Sequence, residues 1–229
     1  MLSVARSSAD AIDLRARASN GASADPVYRM VASILRDLRA PRGFMFDIGC
    51  GTGLLLPFVR EFVSGYCGVD VVRYDTYPAD LQFMHADLDE PGWPIDDAAA
   101  DLTVSVETIE HLENPRAFFR ELVRITRPGG LIVVTTPNQL SLLSKLTLVV
   151  KNQFNAFQAS SYPAHRTALL EVDLRRIAGE VGLADVQVRY SNSGRIPGTG
   201  WHWPALFGGR AFSDNVAICG RRDRRAGEL

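Results

Sequence analysis

The feature that most restricts the fold of this 229-residue chain is a set of alternate glycines placed directly after an apolar segment. Phe44, Phe46 and Ile48 alternate as in a buried strand, and the turn Gly49 to Gly53 follows at once. The apolar run from Leu54 to Val59 then predicts a helix. Glycine accepts positive φ angles and, having no Cβ, lets a ligand approach the backbone closely. The segment therefore predicts a ligand-binding turn between a strand and a helix N-terminus, at the ligand side of an open α/β sheet.

The remaining apolar periodicity predicts alternating helices and strands. A first helix is predicted from Tyr28 to Leu38, and later helices at 116–126 and 169–182. Strands are predicted at 44–48, 65–71, 82–87, 101–107, 131–136, 184–190 and 215–220. Residues 72–81 leave room for only a short helix, or for none. These elements predict a Rossmann-like, doubly wound α/β fold with a seven-stranded sheet, mostly parallel, whose last strand is antiparallel.

Domain organisation follows from length and composition. A hydrophobic content of 46% supports one sizeable core, so residues 25–229 are predicted to form a single domain. Long connections at 137–168 and 191–214 are predicted to overhang the ligand face as substrate-side insertions. Residues 1–24 are predicted to be disordered or flexible, the alternative being a short helix over the mouth of the ligand site.

Acidic residues recur where the predicted strands end. Gly68-Val69-Asp70 ends the second strand, and His85-Ala86-Asp87-Leu88 closes the third. The fourth strand runs into Glu107-Thr108-Ile109-Glu110-His111, and Arg127-Pro128-Gly129-Gly130 leads into the fifth. Together with the glycine turn, these five motifs resemble the class I S-adenosylmethionine-dependent methyltransferases in order and position. A nicotinamide fingerprint, G-x-G-x-x-G, would instead need glycine at Leu54, which disfavours an oxidoreductase.

The resemblance implies that S-adenosyl-L-methionine is the cofactor. Asp70 would hold the two ribose hydroxyls, and Asp87 would face the adenine amino group. The implied cofactor-binding residues are Asp47, Gly49, Cys50, Gly51, Gly53, Asp70, Val71, Asp87, Leu88 and Val106.

The catalytic prediction concerns His111, His165 and Glu107. Glu107, Glu110 and His111 are spaced i, i+3 and i+4, so one helical turn would place them on one face. We expect His111 to act as a base toward an acceptor hydroxyl. Alternatively, the glutamates pair locally and His111 orients the Asn114-Pro115 turn.

The E-x-x-E-H spacing resembles two branches of the family, the quinone-pathway O-methyltransferases and the small-RNA 2′-O-methyltransferases. In the second branch, the resemblance implies that Glu107, Glu110, His111 and a later histidine, here His165, hold a divalent metal ion. The prediction is a site without a metal, and metal dependence through these four residues is the alternative.

The predicted acceptor is a hydroxyl on a cyclic small molecule such as a sugar or a phenol. Tyr162 and Arg166 in the first connection, and Trp201 and Trp203 in the second, are predicted to contact it. Simple packing is the alternative for the tryptophans, as it is for the leucines from 142 to 148, which would form an added core helix.

Composition separates the remaining classes of function. A net charge of −1 makes nucleic acid an unlikely partner, which disfavours an RNA substrate. Cys50, Cys67 and Cys219 are too few for a disulfide framework and are expected to be reduced and buried. The chain shows neither an apolar stretch of membrane-spanning length nor a signal peptide, so the cytoplasm is expected. A catalytically silent, cofactor-binding partner subunit remains an alternative, and the sequence leaves the oligomeric state open.

Overall fold

A computed structural model describes residues 16–17, 19–204 and 206–224, and within these residues a seven-stranded sheet forms the centre of the fold. The strands are β1 (Gly43–Ile48), β2 (Val63–Asp70), β3 (Gln82–His85), β4 (Ala100–Ser105), β5 (Thr126–Pro137), β6 (Leu183–Tyr190) and β7 (Asn215–Arg222). Their order is β3-β2-β1-β4-β5-β7-β6. The first five strands pair in parallel, and β7 is antiparallel to both neighbours. The predicted fold class is confirmed.

Helices cover both faces of the sheet. They are α1 (Asp25–Asp37), α2 (Leu56–Val59), α3 (Pro115–Ile125), α4 (Leu142–Lys151) and α5 (Glu171–Glu180). Successive strand residues point to opposite faces, so Met45 packs with the residues of α1 and α2, whereas Phe46 packs with those of α3 and α5. Two apolar cores therefore fix the sheet, and with it the positions of the loops at its carboxyl edge.

The helix predicted after the glycine turn is shorter than expected. The α2 helix makes a single turn and is followed by a 3₁₀ turn at Arg60–Phe62, because β2 already begins at Val63. No helix forms in the described residues between β2 and β3, which agrees with the prediction for 72–81.

The α4 helix has the reverse of the orientation suggested by its leucines. Its buried residues are Ser144 and Thr147, whereas Leu146 and Val149 are exposed. Ser141 caps the helix by accepting a hydrogen bond from the Ser144 N–H at 3.1 Å. The interpretation as an added core helix is therefore wrong, because the inner face of α4 adjoins a polar cavity.

The described part of residues 1–24 lies against the glycine turn. The amide and hydroxyl of Thr52 donate to the Gly21 carbonyl at 2.8 and 3.0 Å, and the Tyr74 hydroxyl donates to the Ala16 carbonyl at 2.9 Å. This placement corresponds to the alternative that the segment covers the ligand site. Residues 1–15 and 18 lie outside the described residues, so their predicted flexibility stays a prediction.

Two further expectations concern the membrane and the cysteines. Among the helices of the described residues, none is long and apolar enough to cross a membrane. All three cysteines are free and buried, as expected.

Candidate functional site

The glycine turn sits at the carboxyl end of β1 in left-handed backbone conformation. The φ angles of Gly49 and Gly51 are 75° and 51°. A Cβ on Gly51 would lie 2.0 Å from the Gly21 carbonyl oxygen, and one on Gly49 would lie 2.1 Å from the Thr108 hydroxyl. Only glycine therefore lets the turn pack beneath the 19–24 segment and beside the loop after β4.

Asp70, the last residue of β2, ties this turn to the neighbouring strand. Its carboxylate accepts hydrogen bonds from the Gly51 N–H at 2.9 Å and from the Val72 N–H at 3.2 Å. Burial raises the pKa of the Asp70 carboxyl, and the backbone donors partly offset that effect. Each carboxylate oxygen has two lone pairs, so acceptor capacity remains for the paired hydroxyls of a ribose.

A cavity of about 270 Å³ opens between these loops. Nine of the ten predicted cofactor-binding residues line it: Asp47, Gly49, Cys50, Gly51, Asp70, Val71, Asp87, Leu88 and Val106. Gly53 does not line it, and a Cβ there would instead meet Tyr77 at 3.2 Å. The cavity thus combines carboxylates, which accept hydrogen bonds from hydroxyl and amino groups, with apolar walls that suit a flat base. This lining fits an adenosine-containing cofactor.

The cavity also has lining residues that were missed in the sequence. Tyr28 contributes to one wall, and Thr108 and Leu112 contribute to another. Their position depends on how distant segments pack, and their residue types give no local signal of ligand binding.

Asp47 is a fully buried carboxylate of the cofactor cavity. Its side chain accepts a hydrogen bond from the Tyr66 hydroxyl at 2.5 Å. Burial raises the pKa of Asp47 to about 7, although the Tyr66 hydrogen bond acts in the opposite direction. The carboxyl therefore keeps its proton to a much higher pH than an exposed aspartate does.

Two partly buried histidines lie side by side in the lining of the cofactor cavity. His111 Nδ1 lies 2.8 Å from the Ala164 carbonyl oxygen, and His165 Nδ1 lies 2.6 Å from that of Ala156. A carbonyl oxygen only accepts, so each Nδ1 carries the proton and each Nε2 of the neutral ring keeps a lone pair. Burial, together with the neighbouring His111, lowers the pKa of His165, which favours the neutral ring.

Hydrogen bonds from side chains of β5 and β7 hold Glu107 and Glu110 in place. Glu107 has a φ of 50°, and its carboxylate accepts from Thr135 Oγ1 at 2.9 Å and from Asn215 Nδ2 at 2.7 Å. Glu110 accepts from Thr136 Oγ1 at 3.1 Å. Burial raises the pKa of Glu110, and burial together with the neighbouring Glu110 raises that of Glu107.

The helical turn considered for 107–111 is thus only partly present. The left-handed conformation of Glu107 ends the extended chain, and a 3₁₀ turn covers only Ile109–His111. A single helical face therefore does not gather Glu107 with Glu110 and His111.

Three of the four residues that would hold a metal ion in the metal-dependent alternative lie close together. One carboxylate oxygen of Glu110 and one ring nitrogen each of His111 and His165 all lie within 4.8 Å of one another. Histidine ligands commonly donate their other ring N–H to a carbonyl, as both do here. Glu107 does not belong to this set.

A second cavity, of about 550 Å³, adjoins the first. The two cavities share Ala24, Glu107, His165 and Asn215. Both long connections contribute to the walls of the second, through residues of 137–165 and of 193–214. His111, in contrast, lines only the cofactor cavity.

None of the four predicted acceptor-binding residues lines either cavity. Tyr162 and Trp201 are 74% and 78% exposed. Arg166 forms an ion pair with Glu113. Trp203 packs against Phe207 and Phe212, whose ring centroids lie 5.6 and 5.1 Å away. The packing alternative describes Trp203 correctly, because nearby phenylalanines cover its ring.

Comparison with known proteins identifies the family. Residues 25–188 match the family described as methyltransferase domain. The chain belongs to this family. The predicted resemblance, the methyltransferase class of enzyme and S-adenosyl-L-methionine as the cofactor are thereby confirmed, and the nicotinamide alternative is removed.

Similar proteins agree with this family. The chain is 33% identical over 128 residues to a ubiquinone biosynthesis O-methyltransferase of Cereibacter sphaeroides, covering 48% of this chain and 49% of that one. It is 28% identical over 164 residues to a protein of Mycolicibacterium smegmatis named "probable S-adenosylmethionine-dependent methyltransferase", covering 65% and 60%. The matches thus span less than two thirds of either relative.

The fold agrees with a solved methyltransferase structure. An S-adenosylmethionine-dependent methyltransferase of Thermotoga maritima superposes with a TM-score of 0.60 at 18% identity, covering 93% of this chain and 94% of that one. At this level of identity the likeness supports the fold.

Proposed function

We propose that this chain transfers the methyl group of S-adenosyl-L-methionine to a hydroxyl of a small molecule. The observation that carries the proposal is the meeting of two cavities at Glu107, His165 and Asn215. One cavity fits the cofactor, and the other has room for an acceptor within the usual range for ligand pockets, about 300–1,000 Å³. The similarity to a ubiquinone biosynthesis O-methyltransferase supports oxygen as the atom methylated.

The bound cofactor supplies the methyl group as an electrophilic sulfonium. An in-line displacement requires that the nucleophile be aligned and water be kept out, more than it requires covalent chemistry by the protein. The 19–24 segment covers the cofactor cavity and serves the second need.

His165 is the residue best placed to take the proton of the acceptor hydroxyl. It lines both cavities, and its Nδ1–H is held by the Ala156 carbonyl, which leaves Nε2 as the base. His111 is confined to the cofactor cavity, so we assign it the role of orienting the His165 ring, whose centroid lies 4.9 Å away. Glu107, fixed by Thr135 and Asn215, orients the hydroxyl at the boundary.

A metal-assisted transfer is the second candidate, favoured by the grouping of Glu110, His111 and His165 within 4.8 Å. A divalent cation there would act as a Lewis acid on the acceptor oxygen. It would also occupy the nitrogen that otherwise serves as the base, so the two mechanisms exclude one another.

Methyl transfer from radiolabelled cofactor to a panel of hydroxyl, amine and carboxyl acceptors tests the proposal. Label found in an ether supports it, and label found only on nitrogen, carbon or RNA contradicts it. Repeating the assay after exhaustive chelation separates the two mechanisms.

A further inference from the structure

The second cavity has an unusual lining for a pocket of its size. Nine of its eighteen lining residues are Asn, Gln or Ser, and only four, two alanines and two prolines, have no polar side chain. Within the described residues, the lining includes no Phe, Tyr, Trp, Leu, Ile, Val or Met. Ligand pockets are more often lined by hydrophobic and aromatic side chains.

A polar lining disfavours an apolar aromatic acceptor. A phenol with a hydrocarbon tail would displace water from these groups without replacing its hydrogen bonds, and unpaired buried polar groups weaken binding. A ring that carries several hydroxyls can both donate to and accept from such a lining.

Part of the lining forms a fixed frame. Asn138 Nδ2 donates to the Arg210 and Ser213 carbonyls at 2.7 and 2.8 Å. Ser144 Oγ donates to Gln139 Oε1 at 3.4 Å and accepts from the Asn155 backbone N–H at 3.2 Å. These bonds hold the walls without using the groups that remain for a ligand.

Another part of the lining is left unused by the chain. The side chains of Asn155, Ser161, Ser193 and His202 form no hydrogen bond within the described residues. They come from both connections and together offer donors and acceptors. Four uncommitted polar side chains in one cavity match a ligand with several hydroxyls.

Charge decides between a neutral and an anionic ligand. Arg195 is the single Arg or Lys among the described lining residues, and its guanidinium pairs with Asp214 at 2.7 Å. Its positive charge is therefore already balanced by a carboxylate of the same wall. A phosphate or carboxylate on the ligand would therefore find no unpaired guanidinium or ammonium group among the described lining residues.

We infer that the second cavity binds a neutral sugar ring, with one hydroxyl at the boundary formed by Glu107, His165 and Asn215. The inference rests on the proposed function, which it deepens by naming the class of acceptor. Methyl transfer to phenols or sugar phosphates in preference to neutral sugars would contradict it.

The test measures methyl transfer to methyl glycosides of the common hexoses and 6-deoxyhexoses, to catechol, and to hexose phosphates. We expect saturable transfer to at least one neutral glycoside with a KM at least roughly tenfold below those of catechol and the phosphates. Methyl transfer to catechol but to none of the glycosides overturns the sugar inference and leaves the proposed O-methylation intact. Transfer to no oxygen at all overturns the proposed function.

Binding to the protein loaded with S-adenosylhomocysteine gives a readout that does not need turnover. In Asn155→Ala we expect the KM and Kd for the glycoside to rise roughly fivefold to tenfold, with cofactor affinity unchanged. Gln153→Ala is the matched control, because this nearby exposed amide lines neither cavity. Equal glycoside constants in both variants, or no saturable glycoside binding to the parent protein, overturn the inference.

Discussion

The imidazole rings of His111 and His165 meet edge to face, with centroids 4.9 Å apart and planes inclined at 72°. Each ring donates its Nδ1–H to a carbonyl of the 156–164 segment, so one segment sets the tautomer of both. The two residues nevertheless differ in position, because only His165 reaches the second cavity. This difference is the basis for proposing His165 as the base and His111 as the group that orients it.

Replacement of His165 by Ala should therefore lower kcat by about 10²- to 10⁴-fold, the usual contribution of a positioned base. The Kd for S-adenosylhomocysteine should change little. His85→Ala is the matched control, because His85 is an exposed histidine that lines neither cavity. A kcat in His165→Ala close to that of the His85 variant would refute the assignment.

The pH dependence of kcat should reflect the lowered pKa of His165. A base acts in its neutral form, so activity is present above the pKa of the folded protein and is lost as the pH falls through it. Because burial and His111 lower this pKa from 6.5, the acid limb should lie below pH 6.5. Stopped assays from pH 5 to 8 test this, and a limb above pH 7 would argue against His165 as the base.

Chelation should leave the activity intact if His165 Nε2 acts as the base. Incubation with EDTA followed by gel filtration, then assay with and without added Mg²⁺ or Mn²⁺, provides the measurement. Activity that disappears and returns with the metal ion would instead establish Glu110, His111 and His165 as ligands. Glu110→Gln would then weaken metal binding as well.

Cofactor binding should depend strongly on the Asp70 carboxylate. In Asp70→Ala, two charge-assisted hydrogen bonds to the ribose are lost, and we expect binding to weaken by about 2 to 4 kcal/mol. Calorimetry with S-adenosylhomocysteine measures the loss, and the exposed Asp80→Ala variant is the control. Wild-type affinity in the Asp70 variant, or tight binding of NAD by the parent protein, would contradict the predicted role.

The Asp47 carboxyl should make the folded state sensitive to pH. Its pKa is raised from 3.8 to about 7, so between these values the folded chain holds a proton that the unfolded chain releases. The free energy of unfolding should therefore fall as the pH rises through this window, by on the order of 4 kcal/mol from this group. Glu107 and Glu110 have raised pKa values too and act in the same direction.

Asp47→Asn keeps an acceptor for the Tyr66 hydroxyl but cannot titrate. Urea unfolding of the cofactor-free protein from pH 4 to 8 gives the free energy of unfolding at each pH. This free energy should change less steeply with pH in the variant than in the parent. Parallel curves would rule out a raised pKa at Asp47.

Local patterns were sufficient for the fold and for bringing most of the predicted cofactor-binding residues to one cavity. Alternating apolar residues and the glycine turn determine where β1 ends, and the parallel sheet then brings Asp70 and Asp87 to the same edge as Gly49. These positions could be predicted because each depends on a few neighbouring residues and on a common topology.

The acceptor side depends on contacts between distant segments, which local patterns do not contain. Asn215 reaches Glu107 only because β7 lies beside β5. The aromatic side chain of Trp201 suggested a binding surface, yet it lies outside both cavities. The leucines of α4 suggested a core face, but the helix buries Ser144 instead, next to a polar cavity.

The position of β7 affects the order in which the sheet is completed during synthesis. This strand is the last of the seven along the chain, yet it pairs between β5 and β6. On the ribosome, the other six strands are synthesised first. The edge of β5 that pairs with β7 is therefore unpaired until β7 has been synthesised. Since Asn215 begins β7 and holds Glu107, the boundary between the two cavities is completed only by that final insertion. The glycine turn and Asp70 are therefore synthesised well before the residue that holds Glu107.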